Sequence, residues 1–233
     1  MKLKTLIVSL VALMICSASY AQMYPVNWKK MKKIVRNDPE MVQGLIDRLS
    51  AEIPDSTLTI KEKVIAFYGQ SIISGLTGWV VPVELNDAFN AEDYSLALEK
   101  AQALLEKNPF NTRALFIASA SMAAIVDSGD ESYTMDDALK YYVRMMVLLD
   151  TIAATGNGDK DHPFYVVSID NEYDFMRYYL ELKGTGSQSL RNYKGHPFDV
   201  FELGTESQYY AKPEIWFEIS RVTELENKLF GGL

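Results

Sequence analysis

The sequence predicts an α+β protein, mostly α, in which a run of helices is followed by a small antiparallel β-sheet. Three observations lead there. From Val26 to about Ala154 the chain carries helix-capping residues and apolar stripes of helical period. After Thr155 the texture shifts to short runs of aromatic and β-branched residues, separated by glycine-containing loops. Only one cysteine, Cys16, occurs in 233 residues, so no internal disulfide is available and the fold must rest on packing.

The first element is a leader. Met1-Lys2-Leu3-Lys4 is a short positive stretch, Leu6 to Ile15 is an apolar run broken only by Ser9, and Ser19 and Ala21 are the small residues of a cleavage site after Ala21. These are the three parts of a secretory signal peptide, and the run is shorter than the roughly 20 residues a membrane-spanning helix needs. Residues 1–21 are therefore expected to be a signal peptide, giving a periplasmic or secreted protein with no transmembrane segment in the mature chain. The rival is a lipoprotein site at Cys16, for which Ile15 is larger than the small residue such sites want. Cleavage would remove Lys2, Lys4 and Cys16, leaving 21 of the 23 basic side chains against all 31 acidic ones. That balance argues against nucleic acid as a partner. The one basic cluster, Lys29, Lys30, Lys32, Lys33 and Arg36, reads as a solvated helix face.

The helices follow in order. Asp38-Pro39 is an N-cap with proline at the first helical position, opening a helix to about Ser50. Thr59-Ile60-Lys61-Glu62 is a capping box that starts a helix to about Gly75. Residues 76–91, with Pro82, are expected to be a loop. Between 93 and 107, Tyr94, Ala97, Leu98, Ala101, Leu104 and Leu105 form a single apolar stripe that stops at Asn108-Pro109. Residues 112–126 have almost no polar face and read as the central buried helix. Thr134 to Asp137 cap a long helix to about Ala154. These spacings resemble a tetratricopeptide repeat: Tyr94, Ala97, Ala101 and Pro109 fall at its aromatic, small and terminal-proline positions, with a partial second copy at Ala138. Leu104 stands where a third small residue is usual and no third copy follows, so tetratricopeptide-like helical hairpins are expected rather than a full array.

Beyond the polar loop Gly156 to Asp161, residues 162–169 read as a strand, Asp170 as the cap of a helix from Asn171 to about Leu182, and 184–189 as a flexible loop. Strands are expected at 196–203 and 214–219, and a last helix from Thr223 to Phe230. The expected organisation is a leader at 1–21, a helical region at 22–155 and a β-containing region at 156–233 packed on the helices as one domain.

Several segments form an ordered set: Leu58-Thr59 before Phe67-Tyr68-Gly69, the corner at 107–111, Thr155-Gly156-Asn157-Gly158, the run from Phe164 to Tyr173, and Ile215-Trp216-Phe217-Glu218-Ile219. With these, the chain resembles the secreted bacterial proteins grouped as domain of unknown function 4919. The resemblance spans most of residues 24–221. It implies a compartment and a fold but no activity.

Chemistry-bearing residues are few. The two histidines share a context, His162-Pro163-Phe164 and His196-Pro197-Phe198. They read as strand starts with proline at an edge, or, if the strands are neighbours, as a zinc-type pair with Asp161 or another nearby aspartate. The short spacings of metal motifs are absent. Asp159 and Asp161 lack the later glutamate of a calcium loop. Glu172 and Tyr173 follow a strand, where a carboxyl raised by burial beside a phenol could do acid–base work. Alternatively, the helix dipole alone favours Glu172. No nucleophile elbow or phosphate loop is present, and no cofactor is implied. The 14 tyrosines and three tryptophans suit a contact surface. A non-enzymatic interaction or scaffold protein with an unidentified protein partner is thus expected, with carbohydrate as another possible ligand. The rival reading is a periplasmic metal-assisted hydrolase at the His162/His196 end of the sheet.

Overall fold

The structure, a computed structural model, describes residues 22–204 and 207–230. The expected leader and its cleavage site lie outside the described residues, as do Gly231 and Gly232.

Among the described residues seven helices precede the sheet: α1 (Trp28–Asn37), α2 (Pro39–Ser50), α3 (Ile60–Ser74), α4 (Val83–Asn90), α5 (Tyr94–Lys107), α6 (Thr112–Asp127) and α7 (Met135–Ala153). Their starts follow the local chemistry of the sequence. Asp38 caps α2 by accepting from Met41 N, with proline at the first turn. Thr59 and Glu62 close a reciprocal capping box on α3, and Thr134 and Asp137 do the same on α7. Each box satisfies donors at the helix start that would otherwise lack partners. The basic cluster rides on α1, where all five of its cations are exposed and Lys32 pairs with Glu224 at 2.9 Å.

α4 corrects the sequence expectation of a loop over 76–91. It is only eight residues long, yet Leu85 and Ala88 are buried on one side, and Phe89 packs edge-on to Tyr94 and Phe116. Tertiary contact sustains a helix too short to persist on propensity. The loop before it turns on Gly78, held at φ +74°. Its carbonyl accepts from both Asn108 Nδ2 (3.3 Å) and Asn111 Nδ2 (2.8 Å), which fixes the corner between α5 and α6. The expected stripe on α5 is buried from Ala97 to Leu105 and half-buried at Tyr94, and α6 lies between α5 and α7 with nine buried residues, the central position its composition suggested.

The sheet has strands β1 (Phe164–Tyr165), β2 (Gln188–Tyr193), β3 (His196–Glu202) and β4 (Glu214–Glu218) in the order β1-β4-β3-β2. It is mixed rather than wholly antiparallel, because β1 runs parallel to β4. The expected strand over 162–169 is two residues long. His162 belongs to a turn closed by Asp159, and Val167 hands the chain to Ser168, which caps the next helix. β2 replaces part of the loop expected at 184–189. It pairs with β3 through the two-residue turn Lys194-Gly195, where φ is +51° and +81°. Positive φ at both positions is the mirror-image turn that suits strand twist.

Helix α8 (Ile169–Asp174) is capped by Ser168, not by Asp170, and passes directly into a π-helical turn, Phe175–Tyr179. It ends at Leu180, followed by Glu181 at φ +52°, two residues before the expected end. The last helix, α9 (Ser220–Phe230), starts three residues earlier than expected. Arg221 ties it to α3: the buried guanidinium donates to the hydroxyl and carbonyl of Ser71 and pairs with Glu224 at 3.0 Å. The sheet's inner face, with Phe201, Ile215 and Phe217, joins the helical core; the other face holds a smaller cluster of Phe198, Val200 and Trp216.

Candidate functional site

Three consecutive residues of α8 project into three environments. Glu172 meets the sheet, Tyr173 faces outward and Asp174 turns back to α6. An α-helix places neighbours about 100° apart, so a short helix wedged between two layers and solvent distributes them this way. The π-helical turn that follows carries Arg177. Such insertions recur at functional positions.

Glu172 is 1% exposed and confronts Asp199 of β3, itself 4% exposed. Burial raises the Glu172 carboxyl well above its ordinary range, and Asp199, by charge and hydrogen bonding, adds to the rise; Glu226 contributes from α9. Glu172 Oε2 and Asp199 Oδ1 have no hydrogen-bond donor within reach. A carboxyl so placed favours its neutral form, and the protonated Glu172 is the one that the facing Asp199 carboxylate tolerates. The other Asp199 oxygen accepts from Gln188 Nε2, and Gln188 Oε1 accepts from the Tyr173 hydroxyl at 3.2 Å. The Tyr173 phenol is itself raised, by partial burial and then by Glu172 and Asp199, so it stays a donor.

Asp174 is fully buried and sits 2.9 Å from the Arg113 guanidinium, as an ion pair rather than an aligned hydrogen bond. The Thr112 hydroxyl donates to Asp174 Oδ2 (2.8 Å) and accepts from Asn171 Nδ2 (3.0 Å). Burial lifts the Asp174 carboxyl to about 6 despite Arg113 and Thr112, which both pull it down. Asp170 stands 4.0 Å from the same guanidinium. Arg113 is thereby fixed in direction.

Above these buried groups lies an open cleft of about 760 Å³. Tyr173, Arg113, Arg177 and Lys183 line it, with Met176 and Leu182 as apolar floor and Glu181 as the acidic member. Arg177 lies over the Tyr178 ring, 5.5 Å from its centroid. Among the described residues neither Arg177 nor Lys183 has a carboxylate within ion-pair distance. The cleft can hold an anionic group between cations and an aromatic face.

The sequence candidates divide between this end of the sheet and the other. Glu172 and Tyr173 belong to the cleft: Tyr173 lines it and Glu172 lies sealed beneath. His162, Asp161 and His196 lie on loops and strand ends elsewhere. His162 Nδ1 is 3.3 Å from Asp159; Asp161 accepts from the Tyr193 hydroxyl and Lys194 Nζ; His196 Nδ1 is 3.4 Å from Glu218. Each histidine thus engages a different carboxylate. Among the described residues no three histidine, cysteine, aspartate or glutamate side chains converge as a metal set. Arg113, Arg177 and Lys183 were not singled out by sequence reasoning. They are scattered over 70 residues with no common spacing, and the packing of α8 and its π-helical turn against α6 brings them to one cleft.

A model of the family described as Domain of unknown function (DUF4919) matches residues 29–228. No curated protein and no solved structure matches the chain. The chain belongs to the DUF4919 family.

Proposed function

We propose that this member of the DUF4919 family is an exported, non-enzymatic interaction protein that grips an acidic segment of a partner protein in the Arg113–Arg177–Lys183 cleft. The reading rests on one observation above all. In a chain of net charge −8, two cations without carboxylate partners among the described residues and one pre-aligned arginine line a single cleft beside an exposed tyrosine. Guanidinium groups match carboxylates in fork geometry. Tyr173 supplies rigid contact area of the kind that dominates binding energy. The helices α5 to α7, with their tetratricopeptide-like spacing, serve in this reading as the rigid platform, and residues 1–21 as the cleaved leader that delivers the protein to the periplasm or beyond.

The test is a pull-down from the native envelope with the wild-type protein and with the double variant Arg177→Glu/Lys183→Glu. A partner held by wild type, lost with the double variant and released as salt rises supports the proposal. A partner retained equally by both, or a captured anionic glycan in place of a protein, overturns it. A mature N-terminus other than Gln22 on protein purified from the envelope would overturn the leader assignment. The metal-assisted hydrolase reading has no observation in its favour, given the separate engagements of His162 and His196.

A further inference from the structure

A second concavity lies on the molecule, about 280 Å³ in volume, where the loop after α3, the start of α8 and helix α9 meet. Its walls are apolar: Trp79, Val167, Val222 and Leu225, all buried. Its rim is apolar too, yet open to solvent, with Val80 60% and Ile169 49% exposed. Two large apolar side chains left in water at the mouth of a ready-made depression are what a ligand site presents before it is filled. The volume falls just below the usual range for ligand pockets, roughly 300–1,000 Å³, so only a small ligand fits.

The charged groups at this mouth are two carboxylates, Asp170 and Glu226. Glu226 stands on α9 with no cation in ion-pair distance among the described residues. Asp170 has only Arg113 nearby, at the 4.0 Å limit, and that guanidinium is committed to Asp174 at 2.9 Å. The Ser168 hydroxyl already accepts from Asn171 N as the cap of α8, and Asn86 completes the polar margin. No basic side chain lines the depression. An apolar body with a cationic head suits this lining: the body would cover Val80 and Ile169, and the ammonium would meet the carboxylates of Glu226 and Asp170 on the same depression. The Trp79 ring in the wall adds apolar surface for the ligand body. From this charge and shape complementarity we infer that the groove between Trp79, Ile169 and Glu226 binds a small hydrophobic primary amine. This site is separate from the cationic cleft and favours the opposite charge.

Calorimetric titration of the purified protein with 2-phenylethylamine and with its uncharged counterpart 2-phenylethanol tests the inference. The amine should bind saturably and at least about tenfold more tightly than the alcohol, the ratio that corresponds to ~1.4 kcal/mol. Glu226→Gln should bring the amine down to the level of the alcohol. Val80→Ser should weaken both alike. Each variant is first checked by its thermal melt, and where a variant melts low the amine-to-alcohol affinity ratio of the wild-type protein decides. Equal binding of amine and alcohol, unchanged amine affinity in Glu226→Gln, or no saturable binding of either compound at millimolar concentration would overturn the assignment.

Discussion

Glu172 of α8 and Asp199 of β3 meet carboxyl to carboxyl at the helix–sheet interface, each with an oxygen that no donor reaches. The groups around them are Tyr173 on the same helix, Gln188 on β2 and Glu226 on α9. None of these is a cation, so the charged form of Glu172 is disfavoured there.

Stability should therefore depend on pH in a definite direction. The Glu172 carboxyl is raised in the folded state, so its contribution is fully present below the ordinary glutamate range and is lost as pH rises through the raised value. Glu172→Gln, which stays neutral, should remove that loss. We expect it to melt higher than wild type at pH 8, by about 2–4 °C for each ~1 kcal/mol relieved, and to match wild type at pH 4. Parallel melting curves across that range would mean that the Glu172 carboxyl is not raised in the folded state.

Thr112 joins two buried polar groups, Asp174 and Asn171. Thr112→Val keeps the shape and removes both bonds, so the loss should be roughly 1–3 kcal/mol. Urea unfolding should show a lower midpoint with an unchanged slope. The Thr112 bond also holds the Asp174 carboxyl down, so its value of about 6 should move upward in the variant, as followed by NMR titration.

Gly158 sits at φ +77°, where an added Cβ would lie 2.5 Å from the Tyr210 hydroxyl and 2.6 Å from the Phe164 ring. The Tyr210 hydroxyl lies 2.9 Å from the carbonyls of both Gly158 and Glu214, and so joins this loop to β4. Gly158→Ala combines backbone strain with displacement of that tyrosine and should cost ~1–3 kcal/mol. Gly129, also at positive φ but with open space around it, should tolerate alanine better; the difference between the two melts is the measurement.

Ala101 is fully buried on α5, which packs on α6. Ala101→Trp should overpack that contact and cost roughly 1–3 kcal/mol or more. A melting temperature equal to wild type would show that the stripe does not face its neighbour.

What the sequence determined by itself was local. Asp38-Pro39, Thr59 with Glu62, and Thr134 with Asp137 carry their instructions within four residues, because a cap needs only its own first turn. The stripe from Tyr94 to Leu105 likewise fixes which side of α5 is inside. The β2 strand was hidden because Gln188 to Tyr193 lies at the sheet edge, where alternating burial is weak. Its Lys194-Gly195 turn was the one local clue. α4 and the parallel seating of β1 on β4 were decided by contacts far along the chain. So was the candidate site. Glu172 and Tyr173 could be suspected as neighbours in sequence. That Glu172 would face Asp199, while Tyr173 shared a cleft with Arg113 and Lys183, depended on how α8 is wedged between β3 and α6. Charges that converge from separate elements leave no periodic trace in the sequence, since only the packed fold sets the distances between them.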